Sequence, residues 1–353
     1  MRVVVAADVI GVLSSRQAGE ALASGWPRAR VSVVPVGAAG AGFVESAADL
    51  WDAQTETFVV DGAAVTTAVG DGEAALRVEL TAAPGPGLPL DRSSAPLGAA
   101  LADLLDQVRP RRVHVDLTGL AVHDGGAGLL AALGAAADVP LDAGVSGLTG
   151  LARLDLGPAH ARLRGVELVG VLPAAELAAP LLGLRGITSR YGREAGMDPA
   201  LLLRTDADLE RLADLAGSGL GGHPGAGACG GLGLAVLALG GVLRPGPALG
   251  LAAAPLQPGG PAPDLVVTGC SVFDFAARGG GVVAAAAEAA SGVLAPCVVV
   301  AGEVLIGSRE MRTMGIEAAY AVRESTADAP AGGAIAADEL AATARRVGRS
   351  WSW

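Results

Sequence analysis

Two glycine-rich loops carry the residue types that most readily meet an anion. The stretch HPGAGACGGLGLAVLALGG, His223 to Gly241, places Gly225, Gly227, Gly230 and Gly231 ahead of an apolar run, and HDGGAG (123–128) places Gly125 and Gly126 directly after an apolar strand pattern. Glycine lets backbone N–H groups come close to a ligand, and a loop that opens a helix adds the positive end of its dipole, so either loop could cradle a phosphate. The first also satisfies G-x-G-x-x-G over 225–230, the spacing of a dinucleotide-binding turn. Its context does not fit that turn. DLERLADLAGSGLGG ahead of it reads as a helix and a loop rather than a strand, and no acidic residue follows at the distance a ribose contact needs.

Glycines at this spacing also let a helix pack closely against a neighbour, and from spacing alone packing is the stronger explanation for 225–231. The loop HDGGAG lies in a strand–loop–helix setting, right for a ligand crevice at a strand's carboxyl end. Asp124 there is either the helix N-cap or faces a ligand, the cap being the commoner role. His123 is more often a loop histidine than a metal ligand.

Composition narrows what could stand opposite a phosphate. All 25 positive residues are arginine, with no lysine and no asparagine in 353 residues. Any phosphate must therefore be met by arginine or by backbone N–H, and no lysine is available as a base or Schiff-base former. The net charge of -11 repels nucleic acid and anionic membrane surfaces, so neither is an expected partner. Cys229, Cys270 and Cys297 are odd in number and form no C-x-x-C, which suggests reduced thiols rather than a disulfide framework or zinc site. The longest apolar stretch, 282–301, is interrupted by Glu288 and Pro296, and a cytoplasmic location is expected.

The elements that must position the loops are short apolar runs: RVVVAAD (2–8), VSVVPVG (31–37), DLVVTGC (264–270), CVVVAGE (297–303) and AAYAVRE (318–324), with alanine-rich helical patterns between most neighbours. Runs without polar alternation, separated by helices, predict a parallel sheet covered on both faces. Between the second and third of them lie further strand patterns at 75–80, 112–118 and 166–172. The fold expected is two α/β domains. Residues 1–52 and 264–353 form a discontinuous flavodoxin-like parallel-sheet domain, and 53–263 form a second α/β domain inserted into it that carries both glycine loops. Hydrophobic residues at 51% against 17% charged supply enough core for both. The terminal WSW (351–353) is a partner-docking patch or, more commonly, a helix end folding back on its own core.

From Met1 to about residue 320 these segments resemble the glycerate kinase family in its bacterial two-domain form. The family's PGAGAAGGLG is similar to PGAGACGGLG here, its NDGGAG to HDGGAG, its NPLLG to APLLG (179–183), its opening DSFKG to Asp8-Val9-Ile10-Gly11, and its TGEGxLDxQT to TGCSVFDFAA (268–277). The resemblance implies transfer of the γ-phosphoryl group of ATP to a hydroxyl of glycerate or a related small hydroxy acid at a cleft between the domains, with Mg²⁺. It also implies roles: Asp8, Asp124 and Asp274 as the catalytic acids, Asp274 as a metal ligand, and Glu176 as counterpart of an aspartate on the interdomain strand. Gly125, Gly126, Gly225, Gly227, Gly230, Gly231, Arg190, Arg193 and Arg278 would hold substrate or phosphate.

Several of the family's charged positions are changed. The DSFKG lysine is deleted between Ile10 and Gly11, Ala38 and Ala41 replace the acidic pair of ADGGEG, and the lysine of FGPQKG is Ala195. His123 and Ala179 replace asparagines, Cys270 replaces the glutamate of TGEG, and Gly280-Gly281 replace a Gly-Lys pair. Phosphoryl transfer depends on positioning and on fixed charge around the phosphates. These losses predict slow or undetectable glycerate phosphorylation, by a weakened kinase or by a silent homologue that binds a ligand or partner.

Overall fold

The computed structural model describes residues 1–60, 62–80, 87–257, 259–275, 281–324 and 334–352. The chain is α/β and divides into two compact units, residues 1–54 with 245–353, and residues 55–244.

The terminal unit is built on five parallel strands in the order Ile316–Ala321, Cys297–Ala301, Leu265–Gly269, Arg2–Ala7, Arg30–Pro35. Counted from the Arg30 edge this is 2-1-3-4-5, the flavodoxin order, whose switch point falls between the first and third strands. Successive side chains of a strand point to opposite faces, and here both faces are covered, which is why the runs are continuously apolar. Val3, Val5 and Ala7 pack with Leu22, Leu340 and Val347 of the helices Ser15–Ala23 and Ala337–Ser350. Val4 and Ala6 pack on the other face with Val283, Ala286 and Ala290 of the helix Val282–Gly292. Trp351 folds back onto this unit: its indole N–H donates to the Tyr320 hydroxyl at 2.8 Å, and its carbonyl accepts from Trp26 Nε1 at 3.2 Å.

Residues 245–263, assigned to the insert from sequence, pack with the terminal unit instead. The helix Ala248–Ala253 lies against the strand Arg30–Pro35, and a Cβ at Gly250 would stand 2.4 Å from the Pro35 carbonyl oxygen. Only glycine permits that approach.

The inserted unit carries a six-stranded sheet in the order Val242–Pro245, Glu167–Leu172, Arg112–Asp116, Glu73–Leu80, Ala63–Val69, Thr55–Val60. The pairs between 73–80, 112–116 and 167–172 are parallel, while 55–60, 63–69 and 73–80 form an antiparallel meander. The sheet is therefore mixed, and its first two strands are absent from the sequence reading. Thr55–Val60 is exposed at all six residues, so burial imposes no apolar run on it. The signal available was Asp61-Gly62 between two β-branched stretches, a hairpin-turn pair. Among the described residues no helix is long and apolar enough to cross a membrane.

Candidate functional site

In the inserted unit the strand Arg112–Asp116 ends in a turn fixed by Asp116, whose Oδ1 accepts from the Thr118 amide at 2.8 Å and hydroxyl at 2.7 Å. The chain then reaches the HDGGAG loop. Asp124 has no exposed surface, and its carboxylate accepts from the Ser94 amide and hydroxyl, both at 2.8 Å, and from the amides of Gly126 at 2.9 Å and Gly128 at 3.2 Å. Burial pushes its carboxyl up against the pull of those four bonds. The helix Ala127–Ala132 has Gly126 as its N-cap, and the Asp124 carboxylate, two residues earlier, accepts from the amides that open it. All four of those bonds are to this chain's own donors, so the carboxylate holds the loop.

The two glycine loops pack on each other. Gly125 donates its amide to the Gly230 carbonyl at 3.2 Å. At Gly230, φ is +71° and a Cβ would stand 1.9 Å from the Val122 carbonyl oxygen; at Gly126, φ is +76° and a Cβ would stand 2.4 Å from the Ala235 Cβ. Gly231 abuts Gly125, Gly225 abuts Leu177 and Leu243, and Gly227 abuts the Pro180 carbonyl. Close packing therefore accounts for these glycines, and Gly230 also lines a cleft.

That cleft, of about 360 Å³, is lined by Thr118, His123, Glu176, Tyr191, Cys229 and Gly230 together with apolar neighbours, at the carboxyl ends of the strands Arg112–Asp116 and Glu167–Leu172. Glu176 Oε2 accepts from the Cys229 amide at 2.6 Å, which holds Cys229 at a φ of +50°. Burial, with the Glu176 and Asp116 charges, pushes the Cys229 thiol far above its ordinary value, so it stays protonated. His123 is buried, with Nε2 2.9 Å from the Thr188 hydroxyl, and desolvation lowers it to about 4, so it is neutral at pH 7. Arg190 lies beside this cleft, in an adjoining pocket with Arg185, Glu176 and Tyr191, its guanidinium carbon 5.2 Å from the Tyr191 ring centroid. Arg193, on the same helix Ile187–Glu194, is exposed to solvent.

In the terminal unit the acids gather at the switch point. Asp8 follows the strand Arg2–Ala7 and donates its amide to the Gly269 carbonyl at 3.0 Å; Ser271 Oγ accepts from the Gly11 amide at 2.9 Å and donates to the Val9 carbonyl at 3.2 Å. The loops after the first and third strands are thus tied together. Burial raises the Asp8 carboxyl to about 6, opposed by the Val9 amide at 2.8 Å. Cys270 is pushed up to about 12 by burial and then by the charges of Asp8 and Asp274. Both carboxylates act on one thiol, at the position where the resemblance expects glutamate, and the thiol is neutral. Ala38, where an acid is expected, packs against the apolar core. Arg278 lies outside the described residues.

Among the described residues no group of three or more His, Cys, Asp or Glu could hold a metal ion. Magnesium, however, is commonly held by one or two carboxylates with the rest of its shell from phosphate and water. Asp274 suits that use. Sequence reasoning missed Thr188 and Ser94, the partners of His123 and Asp124, which lie 65 and 30 positions away along the chain. Nothing local in the sequence marks either.

Comparison with known proteins agrees with the motifs. Residues 3–352 match the model of the glycerate kinase family. An uncharacterised protein of Mycobacterium bovis is 31% identical over 98% of this chain and 91% of its own length, and a glycerate kinase of Bacillus subtilis is 29% identical over 99% and 97%. The crystal structure of a putative glycerate kinase 2 from Salmonella typhimurium superposes with a TM-score of 0.78 at 25% identity, covering 99% of this chain and 98% of that one. The chain belongs to the glycerate kinase family.

Proposed function

We propose that the chain transfers the γ-phosphoryl group of ATP to glycerate or a related small hydroxy acid, at a rate well below that of an ordinary kinase. The observation that carries this reading is that Ser271 ties the loop bearing Asp8 to the segment leading to Asp274, by its bonds with the Gly11 amide and the Val9 carbonyl, at the sheet's switch point, where α/β proteins bind ligands. Relatives named glycerate kinase, matched over nearly their whole length, support the choice of acceptor. Asp8, raised to about 6, is suited to take the proton of a substrate hydroxyl, because a base works best when its pKa lies near the working pH. Asp274 would hold Mg²⁺, which when bound neutralises phosphate charge. Arg190, in its pocket beside Glu176, is the cation offered to a phosphate or carboxylate. Asp124 takes no chemical part and holds its loop.

The slow rate follows from the neutral thiol at position 270 and the absence of lysine, since each fixed charge removed from such a site costs on the order of 10²–10³ in rate. The test is glycerate-dependent ADP formation from Mg-ATP by the purified chain and by Asp274→Ala. The expected result is turnover below the roughly 1–100 per second of ordinary kinases, abolished in the variant. Thermal-shift titrations with Mg-ATP and with glycerate accompany it, because a ligand that binds the native state raises stability by mass action. Binding of either with no ADP formed would assign the chain to the silent class.

A further inference from the structure

The terminal unit has a second cleft, at the opposite edge of its sheet from Asp8 and Cys270. Met1 precedes the first strand and residues 24–29 lead into the second, so the cleft stands at the amino ends of parallel strands. It measures about 570 Å³, and its lining includes Trp26, Pro27, Arg28, Arg345 and Arg349 and no acidic residue. Arg345 and Arg349 lie one turn apart on the closing helix Ala337–Ser350, and Arg28 reaches the cleft from the loop before the second strand.

The cleft is preformed. A Cβ at Gly348 would stand 2.0 Å from the Gly25 carbonyl oxygen, so the closing helix touches the turn at Gly25 backbone to backbone. The bond from Trp26 Nε1 to the Trp351 carbonyl at 3.2 Å fixes the same spacing.

Among the described residues its charge is uncompensated. Arg16, Arg77, Arg112 and Arg323 form ion pairs with carboxylates. Arg28, Arg345 and Arg349 are exposed and have neither an ion pair nor a side-chain hydrogen bond to any described residue. Carboxylates are not scarce in this chain, with 36 acidic residues against 25 basic. The negative end of the closing helix explains an arginine in its last turn, at Arg349. It does not explain Arg28, which is on no helix, nor the like-charged pair one turn apart, which is unfavourable by itself.

We infer that this cleft binds a small multivalent organic anion, its charged groups spanning the three guanidinium groups and its body resting on Pro27 and Ala29. Guanidinium recognises phosphate and carboxylate alike through its planar fork, and the volume is that of a metabolite site rather than of a single ion. This site is separate from the catalytic reading above and does not depend on it.

The experiment is thermal melting of the full chain with pyrophosphate and with citrate, at ionic strength held constant with chloride. A saturable rise in Tm is expected with at least one of them: pyrophosphate alone assigns phosphate chemistry, citrate alone carboxylate, and both a general polyanion site. The rise persists in Asp274→Ala, and affinity falls about tenfold or more for each arginine removed in Arg345→Gln and Arg349→Gln. Both arginines are on the surface, and an unchanged circular dichroism spectrum confirms that the variants fold. No saturable rise with either anion, a rise unchanged in Arg345→Gln/Arg349→Gln, or a rise lost in Asp274→Ala would overturn the inference.

Discussion

The carboxyl edge of the terminal sheet and the interlocked glycine loops of the inserted unit both carry sequence that reads as phosphate chemistry, yet the structure uses them differently. In the inserted unit Asp124 is sealed by four hydrogen bonds, and the glycines are packed against neighbouring backbone and side chains. In the terminal unit Asp8 and Asp274 bear on a single side chain, and that side chain has lost its charge. The most recognisable motifs are here packed as scaffold, and the chemistry proposed above rests on a sparser set of acids. A motif survives either because a ligand needs it or because its own neighbours do, and only the contacts separate the two.

The largest expected effect in this comparison is at Gly230. Gly230→Ala forces a side chain into left-handed backbone and against the Val122 carbonyl, and should cost roughly 4–5 kcal/mol of stability. Urea denaturation followed by circular dichroism measures it. A variant that folds with native stability but loses ligand binding would return the loop to a cradling role. Asp124→Ala comes next. It strips the acceptor from four donors and should cost about 3–4 kcal/mol in the same experiment. If instead it leaves stability intact and abolishes turnover, Asp124 belongs with the catalytic acids.

A smaller effect follows from His123. Its folded-state value of about 4 lies below the ordinary 6.5, so the unfolded chain binds the proton more readily. Its contribution is complete above about pH 6.5 and is lost as the pH falls toward 4, amounting to at most roughly 3 kcal/mol. His123→Gln should flatten this part of the stability profile measured between those pH values. An identical profile in the variant would contradict the buried neutral imidazole.

The parallel strands of the terminal unit were legible because burial on both faces writes itself as unbroken runs such as RVVVAA and CVVVA. Thr55–Val60 was not legible, because an exposed strand carries no such run. The motifs name Asp8, Asp124 and Asp274 alike, and nothing in their spacing shows that Asp124 is buried among its own donors. That Ser94 closes over Asp124, and that the loop after Asp8 is tied to Ser271 beside Cys270, are facts of tertiary folding between residues far apart in the chain.

On the function proposed above, the missing charge at the terminal sheet's edge limits turnover. Cys270→Glu tests it most directly, by restoring a carboxylate beside Asp8 and Asp274. Glycerate-dependent ADP formation, measured with Mg-ATP on variant and parent chain, should rise about tenfold or more, a fraction of the 10²–10³ that one fixed charge is worth at such a site because the lysines remain absent. A folded variant whose rate is equal to or lower than that of the parent would contradict the claim.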